Sequence, residues 1–269
     1  MKYLILGNGY IGNKLCNYFK DVASTAITGS RIFSKTDVLD LIDFYKPEII
    51  INAIGKTGSP NIDWCENHKE VTLESNVLVP ICIALACKEK GIMMVHIGSG
   101  CIYNGTSDIS FTEEDVPNFY GSYYSRTKIL AESALKELDN ILQIRIRMPI
   151  DSDDSPKNLI NKLLKYHKII SIPNSITVVP DFLKATKELL DKKVTGIFNV
   201  VNKGYSTHAV ILETYLNIRH KKKAYEVINL EELDQLTIAK RSNCVLSIGK
   251  LEKYVEMPYI IASLNNLWK

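Results

Sequence analysis

The chain opens on a short apolar run, residues 2–6, that stops at Gly7; apolar positions then recur three and four apart at Ile11, Leu15, Tyr18 and Phe19. The run predicts a buried strand and the recurrence a helix with one apolar face. Further strand-like runs lie at 25–27, at 49–53 after Lys46-Pro47, at 93–97 after Gly91, and at 142–147. Helical patterning fits between them, from about residue 76 to 90 and from about 121 to 138, with a polar loop over 104–118. Strands alternating with helices in this way predict an α/β fold with a doubly wound parallel sheet. Beyond Pro149 the pattern loosens into a turn-like stretch at 151–155, a helix over 159–166 and a strand near 196–201. The expected organisation is a first domain over 1–150, to which the 196–201 strand returns, interleaved with a smaller portion over 151–269.

Composition narrows the class of protein. With 269 residues, 46% of them apolar and 23% charged, the chain can bury a full core and has no bias toward disorder. A net charge of +3, with basic residues dispersed apart from the run 221–223, gives no nucleic-acid footprint. The N-terminal apolar run is too short for a secretory signal, and no uninterrupted apolar stretch approaches the roughly 18 residues of a membrane span, so a cytoplasmic protein is expected. Six cysteines without Cys-x-x-Cys spacing and five scattered histidines predict free thiols and no metal site. Cys16, Cys82 and Cys87 fall on predicted helices and are expected in the core.

Chemistry first shows in Gly7-Asn8-Gly9-Tyr10-Ile11-Gly12, a G-x-G-x-x-G turn between a predicted strand and a predicted helix. Missing side chains there let backbone N–H groups and the helix N-terminus approach a pyrophosphate, the signature of a Rossmann dinucleotide site. An NAD site usually places a carboxylate some 20 residues on; this chain has Gly29-Ser30-Arg31 instead. Ser30 can donate to a 2′-phosphate and Arg31 can pair with it, so NADPH is expected over NADH. Arg31 as an ordinary surface residue is the competing reading.

A second constellation lies in Tyr124-Ser125-Arg126-Thr127-Lys128, which puts a tyrosine and a lysine on one helix face. A phenol with an ordinary pKa of about 10 becomes a usable acid at neutral pH when an ammonium stabilises its phenolate. Ser99, at the end of the fourth strand, can orient a substrate carbonyl. Tyr123 is the nearest alternative, but Thr127 stands four residues beyond it.

These elements, in this order, resemble the extended short-chain dehydrogenase/reductase family along essentially the whole chain. More specific stretches are similar to the bifunctional 3,5-epimerase/4-reductases that make nucleotide-linked L-rhamnose: Asn52-Ala53-Ile54-Gly55-Lys56-Thr57-Gly58, Asn61-Ile62-Asp63-Trp64-Cys65-Glu66, Gly100-Cys101-Ile102-Tyr103 and Arg241-Ser242-Asn243. The resemblance implies a UDP- or dTDP-4-keto-6-deoxyglucose substrate, with the base left open. It implies Cys101 and Lys162 as the two proton-transfer groups of epimerisation, and Ser99, Tyr124 and Lys128 as the reductase set. It also implies cofactor contacts from Asn52, Ala53, Ile54, Gly55 and Asn76, with Met148, Pro149 and Ile150 lining the nicotinamide pocket. Thr57, Gly58, Trp64, Cys101, Ile102, Tyr103, Arg241 and Asn243 are then expected around the substrate, with Arg241 suited to the diphosphate.

Proton chemistry limits the order of steps. Hydrogens on C3 and C5 are acidic only while C4 is a ketone, so both epimerisations must precede reduction. A separate 4,6-dehydratase is expected to supply the ketosugar, and fold analogy suggests a homodimer. Two alternatives stand beside the bifunctional reading: a 4-reductase alone, like dTDP-4-dehydrorhamnose reductase, and a non-catalytic NADP-binding regulatory subunit like that of methionine adenosyltransferase.

Overall fold

The computed structural model describes residues 1–21, 23–106 and 108–269, so Ser107 of the expected polar loop lies outside the described residues. The chain begins with β1 (Lys2–Leu6), α1 (Tyr10–Lys20), β2 (Ser24–Thr28), α2 (Lys35–Tyr45) and β3 (Ile49–Asn52). Short helices α3 (Asp63–Asn67) and α4 (Lys69–Leu73) lead through a π-helical turn (Glu74–Leu78) into α5 (Val79–Lys90) and β4 (Met93–Ser99). Next come β5 (Ser110–Phe111), α6 (Tyr123–Lys136), β6 (Ile141–Ile146), β7 (Pro149–Ile150) and α7 (Leu159–Leu163). They are followed by β8 (Lys168–Ile170), β9 (Thr177–Val178), α8 (Val179–Asp191), β10 (Gly196–Asn199) and α9 (His208–Ile218). The chain closes with β11 (Glu226–Ile228), α10 (Leu230–Leu236), β12 (Val245–Leu246) and α11 (Ile260–Trp268).

These elements form two compact units, one comprising 1–99, 122–145 and 192–198, the other 100–121, 146–191 and 199–269. Residues 100–121 and the end of β6 belong to the second unit.

In the first unit the sheet order is β10-β6-β4-β3-β1-β2. The pairs β1/β2, β1/β3 and β3/β4 are parallel, with Ile5 opposite both Ile27 and Ile51. Leu6, Asn52 and Ser99 therefore end their strands along one edge, where ligands of open α/β sheets bind. Every residue of β3 and β6 is buried, the near-continuous burial expected of strands covered on both faces. Leu4, Leu6, Ile50 and Met94 of the sheet pack with Val38 and Ile42 of α2 and with Val79, Ile83 and Cys87 of α5.

The helix expected to begin near residue 76 starts earlier, at Lys69, and the π turn widens it at Glu74–Leu78. Taken together, Lys69–Lys90 has the length and apolar composition of a membrane-crossing helix, contrary to the expectation that no stretch would. Polar Thr72 and Asn76 interrupt the apolar run without lowering its average far, and both are fully buried. Half of its most apolar window is buried, and its α5 portion packs on α2 and α6, as a core helix does.

The second unit is built from short parallel pairs, β7/β9, β8/β11 and β5/β12. Ile150, Ile160, Leu163, Ile176, Ile211, Leu264 and Trp268 form its core. Asn202 ties this core together: its Oδ1 accepts from Val178 N at 2.8 Å, and its Nδ2 donates to Asp181 Oδ2 at 2.6 Å and to Ser263 Oγ at 3.0 Å. The helix expected over 159–166 closes after Leu163, and the strand near 196–201 is Gly196–Asn199.

Candidate active site

The glycine turn of the first unit combines two kinds of constraint. Gly7 has φ +103°, and a Cβ there would lie 2.8 Å from Ile54 N, while a Cβ at Gly12 would collide with Gly7 O. Backbone packing thus demands these two glycines. Gly9 differs, since a Cβ there would meet nothing within 4 Å. It is also the N-cap of α1, with no side-chain capping bond and no acidic residue in the first turn. The first turn of this 11-residue helix thus brings no carboxylate or capping side chain of its own to its N-terminus, which suits a pyrophosphate. Asn13, which the motif did not flag, steadies the turn by donating to Asn8 O at 2.5 Å and Gly9 O at 3.0 Å. Beyond β2, Ser30 and Arg31 are exposed, and Ser30 Oγ is 2.7 Å from Thr28 Oγ1.

The segment after β3 is pinned from beneath. Asn52 is fully buried; its Oδ1 accepts from Ile54 N at 3.0 Å, and its Nδ2 lies 3.1 Å from His96 Nδ1. Asn76, carried inward by the π turn, accepts from Lys56 N at 2.7 Å and donates to Lys56 O and to Thr127 Oγ1, each at 3.1 Å. Its side chain thus fastens Lys56, at the end of this segment, to α6. Trp64 is half-buried and stacks on His68 with centroids 3.9 Å apart, next to Gly58 at φ +67°.

Helix α6 starts at Ser122, whose hydroxyl accepts from Ser125 N at 3.0 Å. Tyr124 and Lys128 follow one turn apart, at 8% and 7% exposure. Lys128 Nζ donates to Ile97 O at 3.1 Å, fastening the helix to β4 two residues before the buried Ser99. Burial, with Lys128 second, holds His96 well below the ordinary imidazole range, so the ring beneath this edge is neutral. Tyr123 faces other partners: Arg126 lies 5.4 Å and Lys69 5.9 Å from its ring centroid.

In the second unit Cys101 is half-buried, and Arg147, missed as a site residue in its own right, donates to Cys101 Sγ at 3.3 Å. Lys162 sits on α7 with its ammonium held below the ordinary range by burial first, then by Lys157 and Arg241. Arg241 itself donates to Ala239 O at 2.5 Å. Burial, followed by Arg147, depresses His208 to about 4, and its Nε2 lies 3.3 Å from Met148 Sδ. Met148 adopts φ +46°, unusual for a side chain of this size, and Pro149 beside it is half-buried.

Four of the residues expected around substrate and cofactor are buried within the second unit. Ile102, Tyr103 and Ile150 are fully buried, with the Tyr103 ring stacked on Phe111 at 4.6 Å and its hydroxyl donating to Asp115 O at 2.7 Å. Asn243 is buried too, accepting from Asn174 Nδ2 at 2.9 Å and donating to Arg241 O at 3.2 Å. The Tyr103 and Asn243 side chains thus also make hydrogen bonds within the unit.

The chain is 37% identical over 276 residues to a bifunctional dTDP-4-dehydrorhamnose 3,5-epimerase/dTDP-4-dehydrorhamnose reductase of Arabidopsis thaliana, covering 99% of this chain and 91% of that one. Similarity to a trifunctional UDP-glucose 4,6-dehydratase/UDP-4-keto-6-deoxy-D-glucose 3,5-epimerase/UDP-4-keto-L-rhamnose-reductase of the same plant is 37% over 280 residues, all of this chain but 41% of the relative's length. The L780 UDP-rhamnose synthase of Acanthamoeba polyphaga mimivirus superposes with a TM-score of 0.94 at 32% identity, covering 99% of this chain and 98% of that one. Residues 1–259 match the family described as RmlD substrate binding domain, and with a dinucleotide turn at one sheet edge and a tyrosine and lysine beside it, the chain belongs to that family.

Proposed function

We propose that the protein converts UDP- or dTDP-4-keto-6-deoxyglucose to the nucleotide-linked L-rhamnose, epimerising C3 and C5 and then reducing C4 with NADPH. The observation that carries the reduction is the Lys128 Nζ to Ile97 O bond of 3.1 Å, which fixes α6, and Tyr124 with it, at the end of the strand that carries Ser99. NADPH supplies a hydride when bound; Gly7 to Gly12 would hold its pyrophosphate, and Ser30 and Arg31 its 2′-phosphate. Tyr124 gives its phenolic proton to O4 as the ketone becomes an alcohol. The Lys128 ammonium stabilises the phenolate left behind, and neutral His96 leaves that ammonium without a competing cation beneath it.

Epimerisation falls to Cys101 and Lys162. Each inversion needs one group to remove a proton and another to return one to the opposite face. Lys162 is suited to the first task, because a lowered ammonium range leaves more neutral amine near pH 7. The activity requires a 4,6-dehydratase to make the ketosugar, and a homodimer is the assembly expected, checked by light scattering at assay concentration.

The deciding experiment is turnover of UDP-4-keto-6-deoxyglucose with NADPH in deuterated water, read by mass spectrometry. Two solvent deuterons in the product with NADPH consumed are expected. Oxidation of NADPH without solvent deuterium would leave a 4-reductase only. Cys101→Ala should abolish epimerisation while still reducing UDP-4-keto-L-rhamnose.

A further inference from the structure

Arg147 carries an unusual burden. It is 1% exposed and lies at the end of β6, where its backbone N donates to Thr177 Oγ1 at 3.0 Å. Its Nη1 donates to Gly100 O at 3.2 Å, Ser242 Oγ at 3.0 Å and Cys101 Sγ at 3.3 Å. Its Nη2 donates to Asn174 Oδ1 at 2.5 Å and Ser242 O at 2.6 Å, and its buried Nε makes no hydrogen bond among the described residues. All of these partners are neutral, and Arg147 makes no ion pair among the described residues. A buried guanidinium without a counter-ion is strongly unfavourable, so the fold retains here a cation that one of its neighbours must answer. Within the guanidinium's own shell, Cys101 is the side chain able to become an anion.

We propose that Arg147 is the positioning residue of the epimerisation, fixing Cys101 Sγ and compensating the thiolate that Cys101 forms as it moves protons. This rests on the proposed role of Cys101. When Cys101 takes a proton, the C–H bond breaks, an S–H bond forms and the electron pair moves onto the C4 ketone as an enolate. When it returns a proton, the S–H bond breaks, the pair collapses back to carbon, and the thiolate is left facing Nη1. Ser242 Oγ, which also donates to Tyr103 O at 2.6 Å, and Asn174, whose Oδ1 also accepts from Cys244 N at 3.1 Å, hold the fork in place. The ionisable neighbours do not supply a rival anion: His208 is kept neutral beside Arg147, Lys162 is an amine or an ammonium, Arg241 is a cation, and the Cys244 thiol donates to Gly100 O at 3.5 Å.

The test measures the pH profile of Cys101 alkylation by iodoacetamide, read on the tryptic peptide 91–126, in which it is the sole cysteine. The native protein should react with a midpoint below that of the same thiol in the urea-unfolded chain, where a free cysteine titrates near ~8.5. Arg147→Gln should raise the native midpoint by about one pH unit or more, and Arg147→Lys should restore part of the difference. Deuterium entry at C3 and C5 should fall about tenfold or more in Arg147→Gln, with reduction of UDP-4-keto-L-rhamnose retained. A native profile no lower than that of the unfolded chain would overturn the proposal, and this comparison needs no variant to fold. So would an Arg147→Gln protein that binds NADPH and alkylates like wild type. Absence of deuterium entry in wild type, with the alkylation profile still lowered, would remove the epimerase reading and leave the Arg147 to Cys101 coupling in place.

Discussion

Arg145 grips Glu132 with two parallel hydrogen bonds, Nε to Oε2 at 2.7 Å and Nη2 to Oε1 at 2.8 Å, joining β6 to α6 with both side chains almost wholly out of water. Removing one member of a buried pair leaves the other charge uncompensated, typically at 3–5 kcal/mol. Glu132→Ala should therefore lower unfolding stability by about 3 kcal/mol or more, whereas an Arg145→Met, Glu132→Leu double variant should recover much of it. Urea midpoints of the three proteins check this.

Gly9 and Gly12 should respond differently to alanine. At Gly12 the new methyl collides with Gly7 O, so Gly12→Ala should lose both thermal stability and NADPH binding. Open space surrounds Gly9, so Gly9→Ala should melt like wild type and yet bind NADPH about tenfold or more weakly. Equal NADPH affinity in Gly9→Ala and wild type would place the pyrophosphate elsewhere.

His208 should make stability depend on pH. The unfolded imidazole titrates near 6.5 and the folded one at about 4, so between these values the unfolded chain binds a proton that the folded chain does not. The folded state is thus most favoured above pH 6.5 and loses that contribution as pH falls toward 4, by about 2 kcal/mol once partial exposure of the ring is allowed for. Replacing His208 by Gln should flatten this part of the stability profile; an unchanged slope between the two pH values counts against it.

Tyr124→Phe removes the phenolic proton that the proposed reaction assigns to O4, without altering the helix face. Reduction of UDP-4-keto-L-rhamnose should fall by about 10²–10⁴ in kcat with little change in KM, and NADPH affinity should persist. Deuterium exchange at C3 and C5 of the substrate should survive in this variant.

Much of this was legible in the sequence because each signal had a local cause. A run such as Ile49 to Asn52, buried on both faces, announces itself by composition, and the G-x-G-x-x-G turn by its place between a strand and a helix, although the packing of Gly7 on Ile54 is a contact between distant segments. Tyr124 and Lys128 are a helical period apart, so their shared face needs no tertiary knowledge. No separate role for Arg147 was legible: in Arg145-Ile146-Arg147 the alternation of a strand would put both arginines on one face, but β6 ends at Ile146, between them. Its partners Asn174, Ser242 and Cys101 come from three distant segments. The inward turn of Asn76 depends on a π turn with no sequence signature, and the burial of Tyr103 and Asn243 on packing that a motif does not encode.

The chain changes unit after Ser99, Gly121, Arg145, Asp191 and Phe198. Neither unit can be excised as one continuous piece, so recombination cannot exchange the Cys101 unit as a cassette while keeping the Tyr124 unit intact. New substrate preferences must arise by point changes and loop insertions within a shared thread. Ser99 and Cys101 show this most sharply, for one glycine separates residues of two different units, and any insertion there would fall at the joint between them.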